Sequence, residues 1–356
     1  REPLDNEPDG DDPGASDVPE PVTPPVTPPV APPVTEPSCR RARHLHFQNE
    51  EYRFMRETMT TEPTVTTTRR CLVARAGRIA LLLCTLTGLA GVAQAAPGDR
   101  ILATGGATTV EGAAGGGIVP WAILSGYAER DQVGGSAWLT RVSPPDFGMN
   151  AFGAAVSFSN RVELALGRQE FDIDSVIPDE TLEQDIVGVK ARLAGDLIYT
   201  RLPQISLGAQ FKRNTAPDVP KAVGAEDDSG VDVYLAATKL WLSGPFGRSA
   251  FLNTTLRATR ANQLGLVGFG GDKEDGYSVV GEVSAGLFLT RRWAIGAEYR
   301  QKPDNLGFAR EDDWFDVFVG WFPNKRVAVV AAWSDLGSIA GFDDQRSLYL
   351  SLQLSQ

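Results

Sequence analysis

Ile205-Ser206-Leu207-Gly208-Ala209-Gln210-Phe211-Lys212 alternates apolar side chains with polar or small ones without a break. A period of two sends successive side chains to opposite faces of a strand, so this segment has one oily face and one wet face. The pattern recurs along the chain. Val187, Val189, Ala191 and Leu193 oppose Gly188, Lys190, Arg192 and Ala194. Ala250, Leu252, Thr254, Leu256 and Ala258 oppose Phe251, Asn253, Thr255, Arg257 and Thr259. Trp293, Ile295, Ala297 and Tyr299 oppose Ala294, Gly296, Glu298 and Arg300, and Leu348, Leu350, Leu352 and Leu354 oppose Ser347, Tyr349, Ser351 and Gln353. No segment after Ala96 carries a comparable helical stripe.

Alternation suits a soluble β-sandwich as well as a membrane barrel, and three further features favour the barrel. The strand-like segments run to about 9–13 residues, longer than globular strands and suited to a tilted membrane span. Connection lengths alternate. Tight turns fall at Asn160, at Gly244-Pro245-Phe246-Gly247, at Arg291-Arg292 and at Pro323-Asn324-Lys325. Between them lie polar loops at Glu170–Asp185, Asn214–Gly230, Asn262–Gly276, Lys302–Asp313 and Leu336–Gln345. Short periplasmic turns and long external loops are the habit of outer-membrane barrels. Finally, aromatics gather at strand ends, as side chains seated at the two bilayer interfaces do. Trp241, Trp293 and Trp321 lie beside the short turns, and Tyr277, Tyr299, Trp314 and Trp333 beside the long loops.

The expected fold is therefore all-β, an antiparallel up-and-down transmembrane barrel. Thirteen strand-like segments are countable from Val119–Ala128 onward. Single-chain bacterial barrels have even numbers, so twelve strands are expected, with fourteen the alternative if Ala107–Val110 begins one. The barrel domain is placed at 119–356. Residues 96–118 form a glycine-rich segment and a candidate plug inside the barrel. Lipid cannot hydrogen-bond a backbone, so the sheet must close. Lys190, Arg192, Lys212, Asn253, Arg257, Glu282, Glu298 and Arg300 are then expected to face the lumen.

The rest of the chain has a different composition. Twelve of the 24 prolines precede residue 38, in an acidic stretch with few large apolar residues. Such a segment cannot offset the entropy of ordering, so residues 1–68 are expected to be a disordered extension upstream of the true start. Arg69, Arg70, Arg75 and Arg78 then precede the uncharged run Ile79–Ala93 and the site Ala93-Gln94-Ala95. A basic region, a short apolar core and an A-x-A site make 69–95 a secretory signal, cleaved between Ala95 and Ala96.

All three cysteines and both histidines precede Ala96. The mature chain thus lacks the imidazole that serine–histidine hydrolysis and histidine-ligated metal sites require. The glycine-rich run Ala103–Gly117 lacks the Lys-Ser/Thr pair of a phosphate loop. Adjacent acids at Asp312-Asp313 and Asp343-Asp344 read as solvated loop surface. No catalytic residue and no cofactor or metal is expected. The chain's net charge of −11 gives no support to nucleic-acid binding.

Several blocks resemble an uncharacterised proteobacterial family of unknown function. They are Ile101–Gly106, Val110–Gly117 with Val119-Pro120-Trp121-Ala122, Arg161–Leu164, Lys302–Leu306, Asp312–Asp316 and Phe322–Lys325. The resemblance covers nearly all of Ala96–Gln356. It implies an exported outer-membrane protein and supplies no activity and no site residues. In one respect the chain departs from barrel habit: it ends Leu354-Ser355-Gln356 rather than on an aromatic residue.

The leading functional expectation is a passive porin-like channel for small solutes in a Gram-negative outer membrane. The alternative is a non-conducting structural or binding barrel that works through acidic external loops, and the third reading is a soluble periplasmic β-sandwich. The expected partners are outer-membrane lipid, the general secretion machinery and the barrel-insertion machinery.

Overall fold

A computed structural model of the chain describes residues 100–356. The extension 1–68, the signal segment 69–95 and the cleavage site at Ala95 and Ala96 lie outside the described residues. Two short strands come first, β1 (Ala107–Thr108) and β2 (Ala114–Gly115), paired with each other. Twelve long strands follow. They are β3 (Val133–Ser143), β4 (Gly148–Phe158), β5 (Val162–Asp172), β6 (Thr181–Ala194), β7 (Gln204–Asn214) and β8 (Ser229–Trp241). The second half comprises β9 (Ala250–Thr259), β10 (Ser278–Phe288), β11 (Trp293–Arg300), β12 (Trp314–Asn324), β13 (Val327–Asp335) and β14 (Arg346–Ser355).

Each long strand pairs antiparallel with its neighbours in sequence, and β14 closes the cylinder against β3. The fold is one closed twelve-stranded barrel, which excludes the sandwich. The fourteen-strand alternative is also excluded, because Ala107–Thr108 spans nothing. Val119–Ala128 is no strand either. It forms a single bridge at Pro120 and is buried along almost its whole length. The barrel begins at Val133, so the boundary expected between residues 118 and 119 moves beyond Ala128.

The wall shows why the alternation matters. Leu350 is 52% exposed on the outside while Ser351, next along the strand, is 3% exposed inside. Leu139, Leu166, Val187, Leu207, Leu235, Leu256 and Val319 likewise stand outward. An oily exterior around a closed sheet is the form β structure must take in hydrocarbon. Outward charges mark the edge of this belt: Arg168 pairs with Asp185 at 2.7 Å and with Glu183. These outward acids belong to strands that continue past the belt, so the loop expected over Glu170–Asp185 shrinks to 173–180.

The two ends of the barrel differ. The strands are joined at one end, here the turn end, through residues 159–161, 195–203, 242–249, 289–292 and 325–326. The other, loop end carries 144–147, 173–180, 215–228, 260–277, 301–313 and 336–345. Pro323, which has no N–H to give a ladder, sits where β12 loses register with β13.

Four inward aromatic residues are accommodated by glycine directly across the ladder. Trp138 faces Gly153, Tyr234 faces Gly208, Phe251 faces Gly286 and Phe318 faces Gly296. A Cβ added at any of these glycines would come within 2.2–2.6 Å of the opposing ring. The rings therefore lie over the neighbouring strand, which leaves the centre of the barrel to another segment.

Candidate functional site

The centre is occupied by residues 102–128. The segment enters at the turn end, where Leu102 and Ala103 pack against Ala294, Phe322 and Ala328. It rises through β1, turns back between Glu111 and Ile118, and descends to Ala128 beside Gly134 at the start of β3. Both limbs thus enter and leave through the same end.

Polar side chains of the wall hold the segment at every level. Low in the barrel, Gln204 Nε2 and Ser206 Oγ each donate to the Ala122 carbonyl at 2.6 Å, and Thr238 Oγ1 accepts from Ala122 N at 2.7 Å. Thr255 Oγ1 donates to the Pro120 carbonyl at 2.8 Å, and Asn253 Nδ2 reaches the same oxygen at 3.3 Å. Lys190 donates to the carbonyls of Ala114 and Ile123 at 2.8 and 2.9 Å. Its partner Glu163, 3.3 Å away, accepts from the backbone N–H groups of Ser125 and Ala114. Glu298 accepts from Gly117 N at 2.6 Å and Ile118 N at 2.8 Å. Higher up, Gln169 and Gln210 donate to the carbonyls of Val110 and Glu111, each at 2.9 Å.

At the tip a buried ionic cluster joins segment to wall. Glu111 pairs with Lys212, with Arg257 at 3.4 Å and with Arg300. Asp232 binds Lys212 at 2.6 Å and Arg257 at 3.2 Å, while Glu282 binds Arg257 at 2.5 Å. Three cations thus meet three carboxylates. The wall alone supplies two of those carboxylates, so Glu111 completes the neutrality. A buried charge left unpaired is costly, which gives this one residue a large share in fixing the segment.

Above the tip the loop end closes over. Lys212 also donates to the Leu264 carbonyl at 3.1 Å, and Asn214 to that of Leu266 at 2.6 Å. Leu264 and Leu266 join Phe147, Phe171, Ile173, Leu182 and Ile339 in an apolar cap. Beside it Lys302 and Glu311 pair at 3.3 Å, both buried. Burial pushes the Lys302 ammonium below its ordinary range and the Glu311 carboxyl above its own, and each partner's charge opposes the other's shift. The Lys302 ammonium also lies 4.9 Å from the centre of the Trp314 ring.

Of the residues expected in the lumen, Lys190, Lys212, Asn253, Arg257, Glu282, Glu298 and Arg300 lie buried inside the wall. Arg192 is only half-buried at the turn-end rim, where it pairs with Asp196 at 3.2 Å. Among the aromatics, Trp241, Tyr277, Trp293, Tyr299, Trp321 and Trp333 are exposed on the outside, and Trp293 stacks on Trp321 at 5.8 Å. Trp314 is a correction. It points inward and is 4% exposed, because Asp316, two residues on, faces the lumen and fixes the parity of β12. Sequence reasoning missed Glu111, Glu163 and Asp232. Only their acidity amid glycine or apolar neighbours could have marked them.

Cysteine replacing Ala113, which is 3% exposed at the tip, is expected to resist a water-soluble maleimide in the native protein and to react on unfolding. Rapid native labelling would contradict the occupied lumen.

Residues 104–353 match the family model described as "Protein of unknown function (DUF3034)". The chain belongs to that family. No curated protein matches its sequence. Among solved structures it is similar to the KdgM porin, with 9% identity and a TM-score of 0.39 over 62% of this chain and 98% of that one. It is similar to the outer membrane protein Omp33 of Acinetobacter baumannii, with 12% identity and a TM-score of 0.37 over 63% and 97%. The COG4313 outer membrane channel from Pseudomonas putida F1 shares 13% identity with a TM-score of 0.34 over 63% and 94%.

Proposed function

We propose that this DUF3034 protein is a solute channel of a Gram-negative outer membrane, closed by residues 102–128 and by the apolar cap that packs on Val110 and Ile118 at their tip, and opened when that segment withdraws toward the periplasm and the cap loses its support. The observation that carries the reading is the polarity of the wall behind the segment. A permanent filler needs no such wall, since apolar packing replaces buried ion pairs at little or no loss of stability. A wall of Lys190, Gln204, Ser206, Gln210, Lys212, Asn253, Arg257 and Arg300 is what a lumen requires when water fills it. Withdrawal is sterically simple, because both limbs leave through the turn end and no loop has to be threaded. The short turns and the C-terminus share that end, which is the periplasmic one in outer-membrane barrels. Export through the general secretion machinery and insertion by the barrel-assembly machinery belong to the same reading, and it includes no catalytic step.

In planar bilayers the full chain is expected to show rare, brief openings. A variant lacking residues 102–125 is expected to carry a steady ohmic current. Heat-modifiable migration on a gel verifies that the variant is folded, and a folded deletion variant that passes no current sinks the proposal.

A second reading, a non-conducting binding barrel, is favoured by the apolar cap. It borders a partly open cavity of about 60 Å³ lined in part by Phe171, Ile177, Val219, Leu306 and Ile339. Loop deletions that leave conductance unchanged but abolish uptake of an apolar ligand would favour it.

A further inference from the structure

Five successive strands carry the charges at the tip in alternation: Lys212 on β7, Asp232 on β8, Arg257 on β9, Glu282 on β10 and Arg300 on β11. All five side chains are buried. A cation stands at both ends of the series, so the wall holds one positive charge more than its own acids neutralise. Glu298, the next inward residue on β11, does not redress this. Its oxygens are taken by Gly117 N, Ile118 N, Trp121 Nε1 and Ser284 Oγ, and among the described residues it forms no ion pair. The missing charge comes from Glu111, the sole acid in residues 102–128.

The wall meets that carboxylate as it would meet a ligand. One Glu111 oxygen accepts from Lys212 Nζ and from Arg300 Nη2, the latter at 3.1 Å. The other accepts from Arg300 Nη1 and faces Arg257 Nη2 at 3.4 Å. Arg300 thus grips through both terminal nitrogens, a planar fork that matches a carboxylate better than a spherical anion. One donor is left over. Arg257 Nη2 is fully buried and makes no hydrogen bond, although it is aimed at Glu111. A carboxylate tethered to the segment's backbone does not satisfy every donor that converges on it, and a free one can shift toward Arg257.

We propose that Lys212, Arg257 and Arg300 form the solute site of the channel, that the site takes the carboxylate of a small organic acid, and that Glu111 is a tethered occupant which the solute displaces. The inference rests on the channel reading above, since the site is vacated only when residues 102–128 withdraw. Withdrawal by itself leaves one wall cation without a counter-charge. A solute anion in the vacated place restores neutrality, so it stabilises the open barrel and not the closed one. The acid to be carried is then also the signal that opens its path.

The probe is acetate, the fragment that Glu111→Ala removes. Thermal unfolding of the full-chain Glu111→Ala protein in a neutral detergent is compared in sodium acetate, in sodium chloride of equal ionic strength, and in that chloride with acetamide. At tenfold excess over the dissociation constant, a ligand bound only by the native state raises the midpoint by about 3–6 °C. That rise is expected in acetate alone. Combining Glu111→Ala with Arg300→Gln balances the remaining charges without an anion, and the response should be lost. The second readout is the open probability of the parent in planar bilayers. Acetate that binds only the withdrawn state, at the same excess, should raise the open-to-closed ratio about tenfold. Equal midpoints in acetate and chloride would overturn the proposal. So would a response undiminished in the double variant, or an open probability indifferent to acetate, and this last measurement stands even if Glu111→Ala does not fold. Failure of the channel reading has a different mark: the folded variant lacking residues 102–125 passes no current, whatever acetate does to the midpoint of Glu111→Ala.

Discussion

Glu111→Ala is expected to convert the closed barrel into one that opens often. Without that carboxylate, Lys212, Arg257 and Arg300 face only Asp232 and Glu282, so one buried positive charge is left over. Removing one member of a buried ionic network costs about 3–5 kcal/mol. Each 1.4 kcal/mol is a tenfold change in an equilibrium, so the open fraction should rise by roughly two to three orders of magnitude. The barrel itself should survive, because its ladders run entirely among β3–β14. Single-channel recording reads the open probability directly. A cysteine at Ala113 in the same background should also become reactive to maleimide. An open probability within a factor of two of the parent would show that the ionic tip does not hold the segment.

Val319→Arg is expected to disable insertion. Val319 is outward on β12, between the Trp293–Trp321 pair on its turn-end side and Tyr299 with Phe315 on its loop-end side. That places it at mid-belt, where an arginine on the lipid face costs about 2–4 kcal/mol. Urea titration of refolding into lipid vesicles, followed by heat-modifiable migration, measures the loss. Phe318, one residue away, faces the lumen, so the penalty belongs to a face and not to the strand as a whole. A Val319→Arg protein that refolds with unchanged stability would show that this face does not meet hydrocarbon.

The fold was legible because its cause is local. In β14 the outward residues from Leu348 to Leu354 are all leucine and the residues between are tyrosine, serine and glutamine. Such a strand needs oil on one side and polar contact on the other, whatever lies elsewhere in the chain. The same reasoning selects lumen-facing Lys212 and Arg257. It fails at Trp314, where Trp314 and Phe315 at the strand end are both apolar and the parity is ambiguous until Asp316 is assigned to the inside.

Period-two alternation, taken with strand length, the alternating connection lengths and the aromatics at strand ends, determined a closed, membrane-facing cylinder and an inner wall of mixed charge. Only the tertiary structure decided what fills the cylinder. Val119–Ala128 is apolar enough to pass for a thirteenth strand, yet the carbonyls of Pro120, Ala122 and Ile123 are satisfied by the side chains of Gln204, Ser206, Thr255 and Lys190 rather than by a neighbouring strand. Glu111 meets Arg300 across 189 positions of sequence, a pairing for which no local pattern exists. Alternation is imposed by the geometry of a single strand. Charge neutralisation in a lumen is imposed by whichever distant residues the closed barrel brings together.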